Sequence, residues 1–223
     1  MKLMSLKSKE IKEKLAQHLS YHIASDGFVY KKGKNEFINS YGEMRYIFNM
    51  LLTAWSDHYS ISVRLNISQE NIEEIYERIL GKSHRLTIGN TIERIYVGFG
   101  GKWLKNADMS IILFENEDIE AAVDTLVDYY NNIAKPYYKL YQTLDEIDKI
   151  INNVPFDHCP EHVGGNFDDR CMKGLIVARL VQNPKYDQLV NIYNEKIKDT
   201  MNYDSITNYY KVKEYLMYNS LIK

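Results

Sequence analysis

The alternation of apolar and polar side chains over residues 57–67 constrains the fold more than any other feature of this chain. Successive side chains of a β-strand point to opposite faces, so the segment predicts a strand with one buried and one polar face. The two sets are Tyr59, Ile61, Val63, Leu65 and Ile67 on the apolar face, and His58, Ser60, Ser62, Arg64 and Asn66 on the polar face. A polar face favours an antiparallel sheet, because parallel strands are usually covered on both sides.

Helical periodicity predicts two long amphipathic helices, at 8–24 and 117–133, and a shorter one at 69–80. The other predicted strands lie near 28–32, 35–40, 43–54, 84–88, 91–99 and 108–114. The sequence therefore predicts an α+β fold: an antiparallel sheet of about five to seven strands backed by the two long helices.

The C-terminal part is predicted to be helical. Residues 154–170 contain Pro155, Pro160, Gly164 and Gly165, which are typical of an irregular loop. The predicted helices after it are 171–182, 185–200 and 204–221. The predicted division is a sheet domain at 1–153, a loop or linker at 154–170 and a helical subdomain at 171–223 that packs on the first.

Composition excludes several classes of protein. Lys and Arg total 28 against 30 Asp and Glu, so no basic excess attracts nucleic acid, which we do not expect as a partner. The first ten residues lack the apolar core of a signal peptide, and no stretch approaches the ~20 apolar residues of a membrane helix. Without a secretion signal the two cysteines are expected to be reduced thiols. These features predict a cytoplasmic protein without membrane segments.

The segment around residue 160 contains the side chains that zinc prefers: His158, Cys159, His162 and, nine residues later, Cys171. Cys159 and His162 have the spacing of a structural zinc site, but Cys171 has no nearby partner in the sequence and closure would require His158. We therefore predict no zinc, with these four residues as the candidate ligands if a metal does bind. No other cofactor is predicted.

Signatures of catalysis are weak. Gly-x-Ser-x-Gly and His-Glu-x-x-His are absent, and the glycine-rich run at 98–102 lacks the spacing of a phosphate-binding loop, so it predicts a hairpin turn. Asp168–Asp169 is expected in a loop, and the acidic residues at 145–148 at a helix start. Paired carboxylates for hydrolysis need not be close in sequence, so a hydrolytic site stays an alternative.

The polar sheet face is the main candidate binding site. Arg45, His58, Arg64 and Arg94 all fall in predicted strands, on the side opposite the apolar residues. If these strands are neighbours, several cations converge on one surface, which would suit an anionic ligand or an acidic protein partner. A solvated face with scattered cations is the alternative interpretation.

The order of features resembles that of a bacterial α+β domain family without assigned enzymatic activity. The opening helix is followed by Asp26-Gly27-Phe28-Val29-Tyr30-Lys31-Lys32-Gly33, then by the sheet, the 117–133 helix and a helical tail. The resemblance covers about residues 8–150 and leaves out the Cys/His loop. It implies no site residues, and some members look like small proteins that neighbour toxin or defence genes.

The sequence favours a non-catalytic cytoplasmic binding protein, with an immunity or regulatory role, that recognises an acidic partner or an anion. Two alternatives remain at this point. One is a small-molecule or nucleotide-binding enzyme that uses the polar sheet face, and the other is a zinc-stabilised interaction module. An enzyme should show a concave pocket with titratable groups of perturbed pKa.

Overall fold

A computed structural model of the chain describes residues 7–81, 85–101, 109–153, 161–200 and 202–219. The sheet has the strand order β1-β2-β3-β4-β5, and β6 pairs with β4. The strands are β1 (Val29–Lys31), β2 (Glu36–Tyr41), β3 (Met44–Ala54), β4 (Tyr59–Gln69), β5 (Ile88–Thr91) and β6 (Ile111–Leu113). β1 with β2, β2 with β3, and β4 with β6 are antiparallel. The predicted α+β class with an antiparallel sheet is confirmed.

Helices account for most of the other described residues. They are α1 (Ser8–Ile23), α2 (Glu70–Leu80), α3 (Ile92–Gly98), α4 (Asp118–Tyr129), α5 (Lys135–Leu140), α6 (Leu144–Ile151), α7 (Phe167–Leu180), α8 (Tyr186–Thr200) and α9 (Tyr203–Tyr218). Among the helices of the described residues, none combines the length and the hydropathy that crossing a membrane requires.

The alternation in β4 sets the buried side of the sheet. Ile61, Val63 and Leu65 are at most 1% exposed, whereas Arg64 between them is exposed. Tyr59 at the strand start is only partly buried. This confirms most of the predicted pattern. Burying each aliphatic side chain stabilises the fold by about 1.5–3 kcal/mol, so a register shift by one residue would be costly.

Helices α1 and α4 cover the buried side, as predicted. Leu15 and Leu19 of α1 and Leu126 of α4 are at most 1% exposed, and the two helices contact each other. On the sheet, Phe37 of β2 pairs with Phe48 of β3, and both rings are fully buried. Such cross-strand aromatic pairs stabilise an antiparallel sheet and help to fix its register.

The predicted strand at 91–99 is wrong, because residues Ile92–Gly98 form helix α3. Ile95 and Val97 have the period of a strand, but Ile92 and Ile95 are the residues that the fold buries, and they lie three apart on one helical face. Apolar runs this short do not distinguish a helix from a strand.

Pro136 restarts the helix that was predicted to end at 133. Between α4 and α5 the residues Tyr130–Ala134 form a π-helical turn, in which the amide of Lys135 donates to the carbonyl of Tyr130. Proline has no N–H to donate to the residue four positions earlier, and the wider turn continues the chain into α5 without a break. Tyr130 and Lys135 consequently lie on the same side of the helix.

The chain forms two compact units that are discontinuous in sequence. The first contains Met1–Asn66 and Asn90–Lys139, and the second contains Ile67–Gly89 and Leu140–Lys223. This grouping differs from the division predicted at 153 and 171. The reason lies in helix packing: α2 contacts α7 and α9, and α6 contacts α7, so both segments associate with the C-terminal helices.

Helix α7 is the centre of the second unit. Every residue from 170 to 178 is buried, because α2, α6, α8 and α9 all contact this helix. The helix begins at Phe167, within the stretch predicted to be a loop. Asn166 caps it by accepting a hydrogen bond from the amide of Asp169 at 3.0 Å. Asp168 and Asp169 therefore lie in the first helical turn and not in a loop.

Candidate functional site

The polar side of β3 and β4 forms one exposed surface in the first unit, which we call the outer face. β3 and β4 are neighbours, and their buried side chains alternate with residues that point the other way. The outer face consists of Arg45, Ile47, Asn49, Leu51 and Thr53 on β3 and Ser60, Ser62 and Arg64 on β4. The structure therefore brings two of the four predicted binding residues, Arg45 and Arg64, onto one surface.

Neither Arg45 nor Arg64 forms an ion pair with a residue that the structure describes. Within the described ranges, the guanidinium groups of Arg45 and Arg64 have no hydrogen bond, ion pair or ring contact with another residue. Arg64 is exposed and Arg45 is partly exposed. On β2, Ser40 pairs with Arg45 and provides no counter-charge. The guanidinium groups thus keep their donors for water or for a ligand, in a planar arrangement that matches a carboxylate or a phosphate.

His58 lies in the turn before β4, where it joins two exposed aromatic side chains. The indole of Trp55 stacks on the imidazole at 5.8 Å between ring centroids with 15° between the planes, and the centroid of the Phe114 ring lies 5.6 Å from that of the imidazole. Nδ1 of His58 lies 2.7 Å from the Asp57 carboxylate. We call Trp55, His58 and Phe114 the aromatic cluster. Trp55 is 60% exposed and Phe114 is 46% exposed.

Backbone and side-chain hydrogen bonds hold the aromatic cluster in place. The indole Nε1 of Trp55 donates to Oγ of Ser60 at 3.1 Å. The amide of Phe114 donates to the Asp118 carboxylate at 2.7 Å, which ties the end of β6 to the first turn of α4. Exposed aromatic side chains that are held rigidly lose little entropy when they bind, so they are suited to be anchors of an interface.

Arg94 does not belong to the outer face. The prediction placed it in a strand, but it lies on α3, where it is exposed. Arg94 was predicted to be a binding residue of the polar sheet face because residues 91–99 were predicted to form a strand. The corrected set on or beside the outer face is therefore Arg45, Arg64 and, through the aromatic cluster, His58.

The candidate zinc ligands are only partly covered by the described residues. His158 and Cys159 lie outside them. Nδ1 of His162 lies 2.8 Å from the hydroxyl of Tyr141, both residues are buried, and burial raises the pKa of Tyr141 to about 12. Cys171 is fully buried, and burial raises the pKa of its thiol well above the ordinary value. Among the described residues no group of three or more His, Cys, Asp or Glu is placed to hold a metal. The absence of zinc stays a prediction.

A buried charged pair in the second unit was not predicted from the sequence. The ammonium of Lys173 donates to both carboxylate oxygens of Glu73, at 2.8 and 2.9 Å, and to the carbonyl of Leu86 at 2.6 Å. Oγ1 of Thr87 donates to the same carboxylate at 2.7 Å and accepts from the amide of Gln69 at 2.9 Å. A buried pair is tolerated only when such hydrogen bonds satisfy both ions.

A small cleft of about 150 Å³ opens beside this pair. Its walls include Gly164 and Gly165, whose φ angles of 61° and 70° are in the left-handed region, and the buried side chains of Arg170 and Lys173. All three donors of Lys173 are already used by the chain, and Arg170 also has contacts within the chain. The ammonium of Lys173 is therefore satisfied internally, unlike the guanidinium groups of the outer face.

Sequence patterns provide little information about this second cluster. Glu73 lies at the border of the apolar stripe of α2, and Lys173 lies in a helix that is buried on all sides. A lysine inside an otherwise buried helical run indicates that a partner must exist, because an unpaired ammonium is too costly to bury. The identity of that partner does not follow from the sequence.

Comparison with known proteins identifies no matching family model, no similar curated protein and no similar solved structure. The resemblance to a bacterial α+β domain family consequently stays a prediction. The functional interpretation depends on the geometry of the chain itself.

Proposed function

We propose that this chain is a non-catalytic binding protein whose outer face recognises an acidic surface of another protein. The observation that carries the proposal is the pair of arginines, Arg45 and Arg64, which share one exposed sheet face without an intrachain counter-charge among the described residues. Charge complementarity of this kind selects partners and accelerates their association. A cytoplasmic immunity or regulatory role belongs to the same proposal, because occupying a partner's surface is a simple way to inhibit it.

The neighbouring side chains also favour a protein partner. Three large apolar side chains near the arginines are 41–60% exposed: Trp55, Leu51 and Ile112. The arginines therefore adjoin exposed apolar surface. Interfaces between proteins are enriched in aromatic residues and arginine at their centres. A free inorganic anion would gain nothing from the apolar part of this surface.

The enzyme alternative has weaker support. On the outer face, the described titratable residues do not form a pair that could act as acid and base. In the second unit, the buried Glu73 and Lys173 are satisfied by their own hydrogen bonds. Such a network explains the local fold without a substrate. A small-molecule site in the second unit, away from the polar sheet face, would instead have to use the cleft beside Lys173.

A comparative pull-down from the native host tests the proposal. The baits are the wild-type chain, an Arg45→Ala/Arg64→Ala variant and an Arg94→Ala variant. Arg94 is the matched control, because it is an exposed arginine of the same unit that lies outside the outer face. Circular dichroism and thermal unfolding confirm that each bait is folded.

We expect a partner that the wild-type and Arg94→Ala chains recover equally and that the double variant loses. Recovery should decline as salt rises, because the Debye length shrinks to about 8 Å at physiological ionic strength. Equal recovery by all three baits at low and high salt, or loss with Arg94→Ala as well, would reject the outer face as the site.

A further inference from the structure

On the outer face of β4, the small side chains of Ser60 and Ser62 separate the aromatic cluster from Arg64, and we call this strip the trough. Oγ of Ser62 lies 3.5 Å from Oγ of Ser110, next to β6. Trp55 is bound to Ser60 at one end, and Arg64 is exposed at the other. The trough thus has an apolar end and a cationic end.

The strand geometry fixes the distance between the two ends. Ser60 and Arg64 are four residues apart on β4 and point to the same face. With a rise of about 3.3 Å per residue, the Cα atoms of Ser60 and Arg64 are separated by about 13 Å. A ligand that contacts both ends therefore needs an apolar group and an anionic group at about this separation.

We propose that the trough binds an extended segment of the partner protein that carries an aromatic or large aliphatic residue four positions from an aspartate or glutamate. The apolar side chain packs on Trp55 and Phe114, and the carboxylate pairs with Arg64. This inference depends on the proposed function and adds the conformation and the side-chain pattern of the recognised segment.

An extended segment fits better than a helix for two reasons. Four residues of an extended chain span the required distance, whereas a helix rises only about 1.5 Å per residue and would need about nine. In addition, the hydroxyls of Ser60 and Ser62 can exchange hydrogen bonds with the peptide groups of an extended chain. The peptide groups within a helix are already paired with one another.

The charge distribution favours a peptide over single-stranded nucleic acid, whose bases could also stack on Trp55. Asp57 is exposed beside the aromatic cluster and bonded to His58, so it would repel a phosphate next to a stacked base. A nucleic acid gains affinity from repeated phosphate contacts, and only Arg45 and Arg64 provide unpaired guanidinium groups on the described outer face. A peptide requires a single carboxylate at the correct distance.

Fluorescence anisotropy with labelled synthetic probes tests the inference. One peptide has tryptophan and aspartate four positions apart in a serine- and threonine-rich background. A second has the same composition with the two residues adjacent, a third has lysine in place of aspartate, and the last probe is oligothymidine. The proteins are the wild type, Trp55→Ala, Arg64→Ala and the control Tyr203→Ala, which removes an aromatic side chain that is 82% exposed in the second unit.

We expect the wild type and Tyr203→Ala to bind the spaced peptide equally and at least about tenfold more tightly than the adjacent or lysine peptides. Trp55→Ala and Arg64→Ala should each weaken binding about tenfold, as removal of a hot-spot side chain does. Unfolding curves verify that both variants stay folded.

The outcomes separate this inference from the proposed function. If the wild type does not prefer the spaced peptide, or if Trp55→Ala binds it normally, the extended-segment inference is wrong, and the pull-down with the double arginine variant still decides the proposed function. Tighter binding of oligothymidine than of any peptide would overturn both. With Arg64→Ala and Trp55→Ala added as baits in the pull-down, loss of the partner with Arg64→Ala but not with Trp55→Ala would retain the proposed function without the aromatic anchor.

Discussion

The carboxylate of Glu73 and the ammonium of Lys173 lie 2.8 Å apart, and their side chains are only 2% and 5% exposed. They are one hundred residues apart in the sequence and join α2 to α7 within the second unit. Lys173 also lies over the ring of Tyr76, 4.9 Å from its centroid. Removing either charge alone leaves the other ion buried without its partner, which is far less favourable than losing the pair.

We expect Glu73→Gln to lower the free energy of unfolding by about 3–5 kcal/mol, because the buried ammonium loses its counter-ion. Urea denaturation measures this. Glu77→Gln is the matched control on the same helix: its partner Arg85 lies at 3.0 Å, but both side chains are nearly half exposed, so the loss should stay below about 1 kcal/mol. Equal losses in the two variants would contradict the structural role of the buried pair.

Leu126→Ala should lower the free energy of unfolding by about 2–5 kcal/mol, because Leu126 is fully buried where α4 covers the sheet and its truncation leaves a cavity. Leu140→Ala, which truncates a side chain that is 46% exposed, provides the control. A loss below about 0.5 kcal/mol for Leu126→Ala would show that this face of α4 is not packed.

The pH dependence of stability should include a contribution from Asp26. Its carboxylate accepts hydrogen bonds from Lys135 and Tyr130, both at 2.8 Å, and these hold the pKa of Asp26 below its ordinary value. A carboxyl group with a lowered folded-state pKa stabilises the protein above its unfolded-state pKa, near 4, and the stabilisation is lost as pH falls toward the folded-state value.

Asp26→Asn should therefore show a smaller decrease in stability between about pH 5 and pH 3 than the wild type does. Urea denaturation across this range measures the difference. Asp124→Asn, on the exposed side of α4, is the control and should follow the wild-type curve. Parallel curves for Asp26→Asn and the wild type would show that the contacts with Lys135 and Tyr130 do not contribute.

Gly174→Ala should destabilise the second unit. A Cβ at this position of α7 would lie 2.7 Å from Oδ1 of Asn152 and 2.7 Å from the hydroxyl of Tyr193. These two atoms are hydrogen-bonded at 2.7 Å, and Asn152 also donates to the carbonyl of Gly174, so neither side chain can move freely. Alanine favours a helix by about 1 kcal/mol, but overpacking typically costs 1–3 kcal/mol.

Thermal unfolding should show the lower midpoint for Gly174→Ala and no change for Gly33→Ala, whose added methyl group would meet no atom within 4 Å. An increase in the midpoint of Gly174→Ala would mean that Asn152 and Tyr193 rearrange without penalty.

Local patterns determined the class of fold and most of its elements. The alternation in β4 and the stripes of α1 and α4 follow from backbone geometry, because a strand repeats every two residues and a helix every 3.6, so the buried face can be derived from the order of residues. Thr143 and Glu146 illustrate the same point: they have the three-residue spacing of a capping box, and they form one at the start of α6.

Only the tertiary structure decided which chemical groups meet. Arg94 matched a strand pattern but lies on a helix, because a run as short as α3 fits both periods until packing selects the buried residues. No sequence pattern indicates that Trp55, His58 and Phe114 form one cluster, or that Glu73 pairs with Lys173. Residues that are distant in sequence meet only when the whole chain has packed. Which of them meet therefore depends on all the packed surfaces together and not on any local pattern.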